Sequence, residues 1–377
     1  MAAEKGFAIQ EGLELTLVRE TSWANIRDRV VVGHFDAAHM LGPMAVASTL
    51  GIGHLKVPLV APFSFGLGGN GITVSTTLWQ QMSAHGAAVG ASPAIQGAAL
   101  KKVVAAREQT RRTPLTFAMV YPFSSHNYLL RYWLSAVGID PDQDVRLVVI
   151  PPPLLVDAMR EGQIDGFCVG EPWNSLAVSV GVGCIVTATA EIWQRSPEKV
   201  LACRLEWAQR YPQRLQALLR ALYRAATWCA EPNHHAELAK LLSEPRYVGA
   251  PADILLRGLS NELALVPTGN LHPVHGFYTI AQHAANYPWA SHALWFYSQM
   301  VRWRQVEFSE ELIGTVAATY RPDLYRSALG VLSDGIPVQD RKIEGTHSNA
   351  GDAGFFDRIV FDPSNLRAYL REFGVRC

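Results

Sequence analysis

Features that identify several common protein classes are missing from this chain of 377 residues. No stretch reaches the roughly 18 consecutive apolar residues that a transmembrane helix requires. The first residues, Met1–Phe7, include Glu4 and Lys5 and lack the apolar core of a secretory signal. We therefore expect no transmembrane segment and a cytoplasmic location. A periplasmic location is the alternative if the N-terminus is truncated.

Charge imbalance and paired cysteines are also missing. Lysine plus arginine and aspartate plus glutamate both number 33, and no basic run is interleaved with aromatic residues. Direct nucleic-acid binding is therefore not expected. The cysteines are odd in number and have no CxxC or zinc-site spacing, which is typical of buried thiols in a reducing compartment. They are Cys168, Cys184, Cys203, Cys229 and Cys377.

Motifs for catalysis and cofactor binding are absent or incomplete. The chain contains no GxSxG, no HExxH and no P-loop. Gly66–Gly71 matches GxGxxG in spacing, but no acidic residue occurs between Asp36 and Glu108 to bind a ribose. A flexible or ligand-approaching turn is the simpler interpretation. His272 and His275 have no carboxylate or cysteine at useful spacing. We expect no metal, no cofactor and no enzymatic activity.

The length and the order of predicted elements indicate two α/β lobes. A chain this long fits lobes of roughly 100–200 residues each. Strands and helices alternate from Leu115 to Ala188, which predicts a parallel sheet with helices on both faces. The break at residues 111–114 sets the predicted limits. They are lobe 1 over 1–112, lobe 2 over 113–195, and a return to lobe 1 with a helical C-terminal region over 196–377.

Two local patterns add further expectations. Apolar residues alternate with polar ones up to Val18, which predicts a strand near the N-terminus. An α/β lobe normally has a strand before its first helix, and the sequence shows no such strand here. A long periodic stretch predicts a single helix over Trp207–Cys229.

Four residues lie where a ligand would be expected in such a fold. Ligands bind open α/β sheets where strand ends meet helix starts, and the amide donors there favour anions. Trp23, Asn70, His126 and Gly170 fit these positions. Each also has a plainer interpretation: Trp23 as a hydrophobic anchor, Asn70 and Gly170 as turn residues, and His126 as a capping or exposed side chain.

The positive charge for such a site comes from Lys199. It lies in Ser196–Leu201, directly before an apolar segment that we expect in the core. Pro197 and Glu198 are typical of a first helical turn or the edge of a loop. The alternative for Lys199 is a solvated lysine on that turn.

Six short phrases carry a further signal: SWANIRD (22–28), DAAH (36–39), NGIT (70–73), HNYLLRYWL (126–134), DGFCVGEPWN (165–174) and PEKVL (197–201). They resemble nitrate/bicarbonate-binding proteins of the NrtA/CmpA type along nearly the whole chain. The resemblance implies a type II periplasmic-binding-protein fold, with two α/β lobes, two crossovers and a ligand in the cleft.

The same resemblance implies a set of ligand-binding residues. The nitrate binders line their pocket with a tryptophan, a glutamine, a histidine, a glycine and a lysine, which correspond to Trp23, Asn70, His126, Gly170 and Lys199. Asn70 is one methylene shorter than the family's glutamine. The bicarbonate branch has glutamate at the position of Lys199, so the lysine implies nitrate or nitrite.

Three functions follow as hypotheses. The chain is similar to the NasS-type cytoplasmic sensor, which binds nitrate or nitrite and holds an RNA-binding antiterminator inactive until the ligand arrives. The alternative is the substrate-binding component of a nitrate/nitrite ABC importer, with a permease and an ATPase as partners. An enzyme of thiamine-pyrimidine synthesis shares the fold class, but its cysteine-rich loop or active-site histidine and lysine are not evident.

Overall fold

The strands of lobe 1 form a three-stranded antiparallel sheet. A computed structural model describes residues 1–53, 55–330, 335–347 and 354–375. Strand β9 (Lys199–Arg204) lies between β1 (Ala37–Leu41) and β2 (Leu59–Ser64). Leu41 pairs with Lys199, so the lysine begins the central strand. The register of β2 shifts between Val60 and Phe63, as expected for a strand that contains a proline.

The second sheet has five strands and is mixed: the strands within Leu115–Ala188 run parallel to one another, as predicted, and β4, which precedes that range, is antiparallel to its two neighbours. Its order is β6-β5-β7-β4-β8. The strands are β4 (Asn70–Ser75), β5 (Leu115–Met119), β6 (Val145–Val149), β7 (Gly166–Gly170) and β8 (Gly183–Ala188). Strand β5 runs parallel to β6 and β7, whereas β4 runs antiparallel to β7 and β8. Strands β5, β6 and β7 are joined by helical crossover connections, which make them parallel. Strand β4 follows the three-stranded sheet in the chain and has no such connection, so it can run antiparallel.

The pairing of strand β4 also changes the lobe to which residues 70–112 are assigned. The sequence pattern placed them in lobe 1, but β4 pairs with β7 and β8 and thus belongs to the five-stranded sheet. The chain therefore passes between the sheets at residues 65–69 and again at residues 189–198. Short strand β3 (Leu67–Gly68) lies in the first passage and pairs with β12 (Tyr278–Thr279). A further pair is formed by β10 (Glu262–Ala264) and β11 (Leu271–Pro273).

Helices cover the sheets and are the main regular elements of the C-terminal region. The first nine are α1 (Phe7–Gln10), α2 (Trp23–Val31), α3 (Gly42–Leu50), α4 (Thr76–Ala84), α5 (Pro93–Gln109), α6 (Ser125–Ala136), α7 (Leu155–Arg160), α8 (Trp173–Ser179) and α9 (Thr189–Ile192). The others are α10 (Leu205–Arg210), α11 (Pro212–Ala230), α12 (His235–Leu242), α13 (Ala252–Ser260), α14 (Ala290–Arg302), α15 (Glu310–Ala317), α16 (Pro322–Leu329) and α17 (Leu366–Arg371). No helix among the described residues is long and apolar enough to cross a membrane.

Two local predictions are wrong. The single helix expected over Trp207–Cys229 is divided at Tyr211, because Pro212 starts a new helix where its missing N–H is tolerated. The expected strand ending at Val18 does not form, and that segment has no ladder partner among the described residues. Alternating side chains alone do not make a strand, since a strand also needs a neighbour to bond with.

Helix α14 forms the centre of the core. Every residue from Ala290 to Val301 is buried, as expected for a helix inside a domain. The ring of Trp295 lies 4.8 Å from Trp193 and 6.5 Å from Tyr132, centroid to centroid. Helix α14 also packs against α3 and α6. One apolar cluster therefore holds the helices that begin beside both sheets.

The start of α3 is packed so tightly that only glycine fits. A Cβ on Gly42 would lie 2.5 Å from the Tyr320 hydroxyl oxygen and 2.8 Å from the Glu198 carbonyl oxygen. We expect Gly42→Ala to lower the free energy of unfolding by about 1–3 kcal/mol through overpacking. Urea denaturation measures this value. Gly314→Ala is the matched control, because a Cβ there meets nothing within 4 Å and alanine favours α15 by about 0.5–1 kcal/mol. Equal effects of the two substitutions would contradict the packing argument.

Candidate functional site

The two passages between the sheets are hydrogen-bonded to each other. The Phe65 N–H donates to the Lys199 carbonyl over 2.8 Å, and the Gly68 N–H donates to the Ser196 carbonyl over 2.9 Å. These bonds bring together Asn70, the first residue of β4, and Lys199, the first residue of β9. The polar ends of strands from both sheets thus meet at one place, which we call the crossover site.

Asn70, Gly170 and Lys199 form one side of the crossover site. Asn70 lies directly opposite Gly170 in the β4–β7 ladder. A Cβ on Gly170 would lie 3.1 Å from the Asn70 Oδ1 atom and 3.5 Å from the Lys199 Nζ atom. The amide and the ammonium group therefore approach the same point, which the missing side chain of Gly170 leaves open. Thr189 fixes the backbone here by donating to the Asn70 carbonyl over 3.2 Å.

Helix α6 provides the other side. Ser124 caps the helix, since its Oγ atom accepts the Asn127 N–H over 3.1 Å. The next two residues then face a buried carboxylate: the Ser125 hydroxyl donates to Glu198 Oε1, and His126 Nε2 lies 3.8 Å from the same oxygen. The second oxygen, Oε2, contacts Lys199 Nζ. Glu198 thus links His126 to Lys199.

Several buried polar atoms at the crossover site make no hydrogen bond within the part of the chain that the structure describes. They are Oδ1 and Nδ2 of Asn70, both ring nitrogens of His126 and Oγ of Ser196. These three residues are at most 1% exposed. More than nine in ten buried polar groups in native proteins have a partner, so a group of exceptions is evidence for a binding site.

Burial determines the charges of the site. It lowers the pKa of His126 well below its usual range, with a further contribution from the charge of Lys199. His126 is therefore a neutral ring at neutral pH, with one N–H donor and one acceptor. Burial also lowers the pKa of Lys199 to about 7. The carboxylate of Glu198 contacts Lys199 and lies 3.8 Å from His126, and it acts in the opposite direction on both groups, because an adjacent negative charge favours their protonated forms.

Trp23 lies beside the crossover site, outside the two sides described above. It begins α2 after Ser22, whose Oγ atom accepts the Ala24 N–H over 3.2 Å. Its ring centroid is 5.9 Å from that of His39, which in turn is 4.9 Å from that of Phe65. Although His39 is exposed, the surrounding protein and the charge of Lys199 lower the pKa of its ring. Trp23 therefore adjoins the crossover site through His39.

The structure brings four of the five candidate residues together. Asn70, Gly170 and Lys199 share one point, and His126 joins them through Glu198. Among the described contacts, none joins Trp23 directly to these four. The role of the five residues in ligand binding stays a prediction.

Sequence reasoning missed three residues that contribute to the site. Ser125 and Ser196 are ordinary polar neighbours of His126 and Pro197, and nothing in their spacing indicates burial. Glu198 had one available signal, its place beside Lys199 ahead of an apolar run. The interpretation of this segment as a helix start or loop edge did not predict a buried carboxylate. In the structure, strand β9 begins at Lys199, directly after Glu198.

Unpartnered groups reduce stability, and the chain offers a matched pair to test this. Asn70 and Asn174 are both 0% exposed. In Asn174, Oδ1 accepts the Thr73 hydroxyl and Nδ2 donates to the Val169 carbonyl, each over 2.8 Å. We expect Asn174→Ala to lower the free energy of unfolding by about 1–3 kcal/mol, because it leaves buried partners without bonds.

We expect Asn70→Ala to leave the free energy of unfolding unchanged or to raise it by about 1 kcal/mol, since the lost amide satisfies no side-chain bond. Chemical denaturation of both variants in the absence of small anions provides the comparison. A loss at Asn70 as large as that at Asn174 would show that the Asn70 amide is a structural group.

Comparisons with known proteins agree with this architecture. The model of the NMT1-like family matches residues 1–243. The nitrate import ATP-binding protein NrtC of Synechocystis sp. PCC 6803 is 35% identical over 100% of this chain, which covers 53% of NrtC. The nitrate/nitrite binding protein NrtA of Synechococcus elongatus PCC 7942 is 31% identical over 98% of this chain and 82% of its own length. This chain spans about half the length of the first curated relatives that it matches.

A solved structure confirms the fold class. The crystal structure of the periplasmic nitrate-binding protein NrtA from Synechocystis PCC 6803 superimposes with a TM-score of 0.88 at 28% sequence identity. The match covers 100% of this chain and 94% of that one. Proteins named as bicarbonate-binding, of the CmpA type, are relatives as well. The chain therefore belongs to the NMT1-like family, among relatives of the NrtA/CmpA nitrate- and bicarbonate-binding type.

Proposed function

We propose that this chain binds a small planar anion, nitrate or nitrite, at the crossover site. The observation that carries the proposal is the group of unpartnered buried atoms on Asn70, His126 and Ser196 beside Lys199. Nitrate and nitrite accept hydrogen bonds and donate none, so they need a site with several donors and a positive charge. The relatives named as nitrate binders support this assignment.

Each donor of the site has a distinct role. Lys199 supplies the charge, and a charge-assisted bond is about twice as strong as a neutral one. The Asn70 amide, the N–H of the neutral His126 ring and the Ser196 hydroxyl supply directed bonds to the anion oxygens. Because these groups are buried, their electrostatic interactions are stronger than they would be in water. Trp23 and His39 complete the wall.

Bicarbonate is the second candidate. Its hydroxyl is a donor, and Glu198 offers a buried acceptor beside Lys199. The CmpA-type relatives are named as bicarbonate-binding. Nitrate and nitrite remain the first choice, because the family resemblance gives the bicarbonate branch a glutamate at this position, where this chain has Lys199.

We expect Lys199→Glu to abolish nitrate and nitrite binding, with a loss of at least about 100-fold, since the charge at the site is reversed. Isothermal titration calorimetry with sodium nitrate measures the affinity. Lys101→Glu is the matched control, because Lys101 is an exposed lysine on α5 and its replacement leaves the site intact. Nitrate affinity unchanged in Lys199→Glu would show that the anion binds elsewhere.

For the cellular role, we propose a cytoplasmic sensor that controls an RNA-binding antiterminator of nitrate assimilation genes. An anion bound where both passages meet would favour one relative arrangement of the two sheets. Such a change alters the surface offered to a partner. The alternative is the substrate-binding component of a nitrate/nitrite importer, which the relatives named in nitrate import favour. The relatives named as nitrate-binding proteins of the NrtA type favour a binding function over an enzymatic one.

Reconstitution with purified partners separates the two roles. We expect the chain to form a complex with the antiterminator from the same genome, and we expect nitrate to dissociate it, as measured by size-exclusion chromatography with light scattering. Lys199→Glu should bind the antiterminator at every nitrate concentration, because it no longer detects the ligand. Stable association with an importer's permease and ATPase, and none with the antiterminator, would favour the alternative.

A further inference from the structure

Glu198 places a negative charge inside a site that we assign to an anion. The residue is 5% exposed, and its carboxylate accepts from Ser125, contacts Lys199 and lies 3.8 Å from His126. Its backbone is fixed too, since the Gly42 N–H donates to the Glu198 carbonyl over 3.0 Å. The Glu198 carboxylate is therefore held in place at the crossover site, together with the donor groups of that site.

With Glu198 ionised and Lys199 protonated, as expected for an ion pair below about pH 7, the net charge of the site before binding is zero. Lys199 contributes a positive charge, Glu198 contributes a negative charge, and His126 is neutral. A bound monovalent anion would leave the buried group with one uncompensated negative charge. Uncompensated buried charge is strongly unfavourable, and proteins usually avoid it by a change of protonation.

We propose that Glu198 is a specificity-determining residue which couples anion binding to the uptake of one proton. The proton comes from solvent and is held by the Glu198–His126 pair, so that the occupied site is again neutral. This inference rests on the proposed function, because it concerns the same crossover site. It also explains how nitrate, which has no donor, can lie beside a carboxylate: the carboxyl becomes protonated or is shielded by an imidazolium ring.

The other groups around the pair are poor proton acceptors. Among the described residues, Cys168 on β7 and His39 on β1 interact with the charge of Lys199, and the Tyr320 hydroxyl after α15 lies near the Glu198 backbone carbonyl. Cys168 and Tyr320 already carry their protons at neutral pH, since burial raises the pKa of both. Lys199 is charged below about pH 7. His39 is exposed and lies on the wall beside Trp23. The proton is therefore assigned to the Glu198–His126 pair.

The same charge count predicts selectivity. A monovalent anion needs one proton to neutralise the site, and the Glu198–His126 pair holds one. A divalent anion needs two, and the pair has no second position without placing a positive charge beside Lys199. The site should therefore take monovalent anions and reject sulfate, for a reason that is independent of ligand shape.

Proton uptake is measured by titrating the full chain with sodium nitrate at about pH 6 in two buffers of different ionisation enthalpy. This pH lies below the Lys199 pKa of about 7, so the lysine keeps its charge throughout. We expect uptake of about one proton per nitrate in the unmodified chain. We also expect its nitrate affinity to fall about tenfold per pH unit as the pH rises from about 6 to 7.

Glu198→Gln removes the internal negative charge and keeps the size of the side chain. We expect proton uptake near zero at about pH 6, and nitrate affinity at least about tenfold tighter than in the unmodified chain. If Glu198 served only for packing, Glu198→Gln would bind nitrate more weakly and would still take up a proton on binding. The pH profile therefore separates the two roles.

Glu344→Gln is the matched control, because Glu344 has the same kinds of partner outside the crossover site. Its Oε1 accepts from Ser291 over 2.7 Å and lies 3.2 Å from His292 Nε2, while Lys342 Nζ is 3.3 Å from Oε2. We expect its nitrate affinity and proton uptake to match those of the unmodified chain, once circular dichroism has shown that it is folded.

The possible outcomes are distinct. Nitrate binding to the unmodified chain without proton uptake overturns this inference and leaves the proposed function standing. Uptake that persists in Glu198→Gln shows that another group takes the proton and also overturns it. The absence of binding heat with nitrate, nitrite and bicarbonate overturns the proposed function, and this inference with it.

Discussion

The geometry of the site depends on the hydrogen bonds between the two passages that connect the sheets. Phe65 and Gly68 in the first passage donate to Lys199 and Ser196 in the second. A chain that crosses between lobes needs partners for its backbone groups, and here each passage supplies them for the other. The consequence is positional: strands from different sheets, β4 and β9, begin side by side, and their first residues carry the amide and the ammonium group of the site.

Electrostatics at this junction favour function over stability. The ion pair between buried Glu198 and partly exposed Lys199 contributes little net stability, because desolvation offsets the attraction between the charges. The unpartnered atoms of Asn70, His126 and Ser196 add a further cost. A fold selected only for stability would place apolar side chains here. The apolar cluster around α14 lies behind the start of α6 and stabilises the polar junction without contributing to its chemistry.

Sequence patterns predicted the local elements well where the signal is local. Helix α5 shows such a signal, since it begins with a Ser92 cap and with Pro93 in its first turn, and both act within a few residues. The antiparallel placement of β4 could not be predicted, since strand partners lie about 100 residues apart and leave no local trace. The same reason applies to Glu198. Its neighbours in sequence indicate a turn, and only contacts to Ser125 and His126, some 70 residues earlier, reveal a buried carboxylate.

The proposed binding site lies where both passages between the sheets meet, which gives its occupancy a route to the rest of the fold. A ligand changes a conformational equilibrium only through a difference in its interactions with the two states. In the proposed function, an anion held by Asn70 and Lys199 would bond to both sheets at once, so its full set of bonds would exist only in arrangements that keep these two residues together. Gly69 extends the connection, because its N–H donates to the Phe277 carbonyl over 2.6 Å and its carbonyl accepts from Glu171 over 3.0 Å. A change at the crossover site therefore reaches the β12 segment and the start of α8 directly. A sensor and an importer component can share this mechanism, and they differ in which partner contacts the surface that it moves.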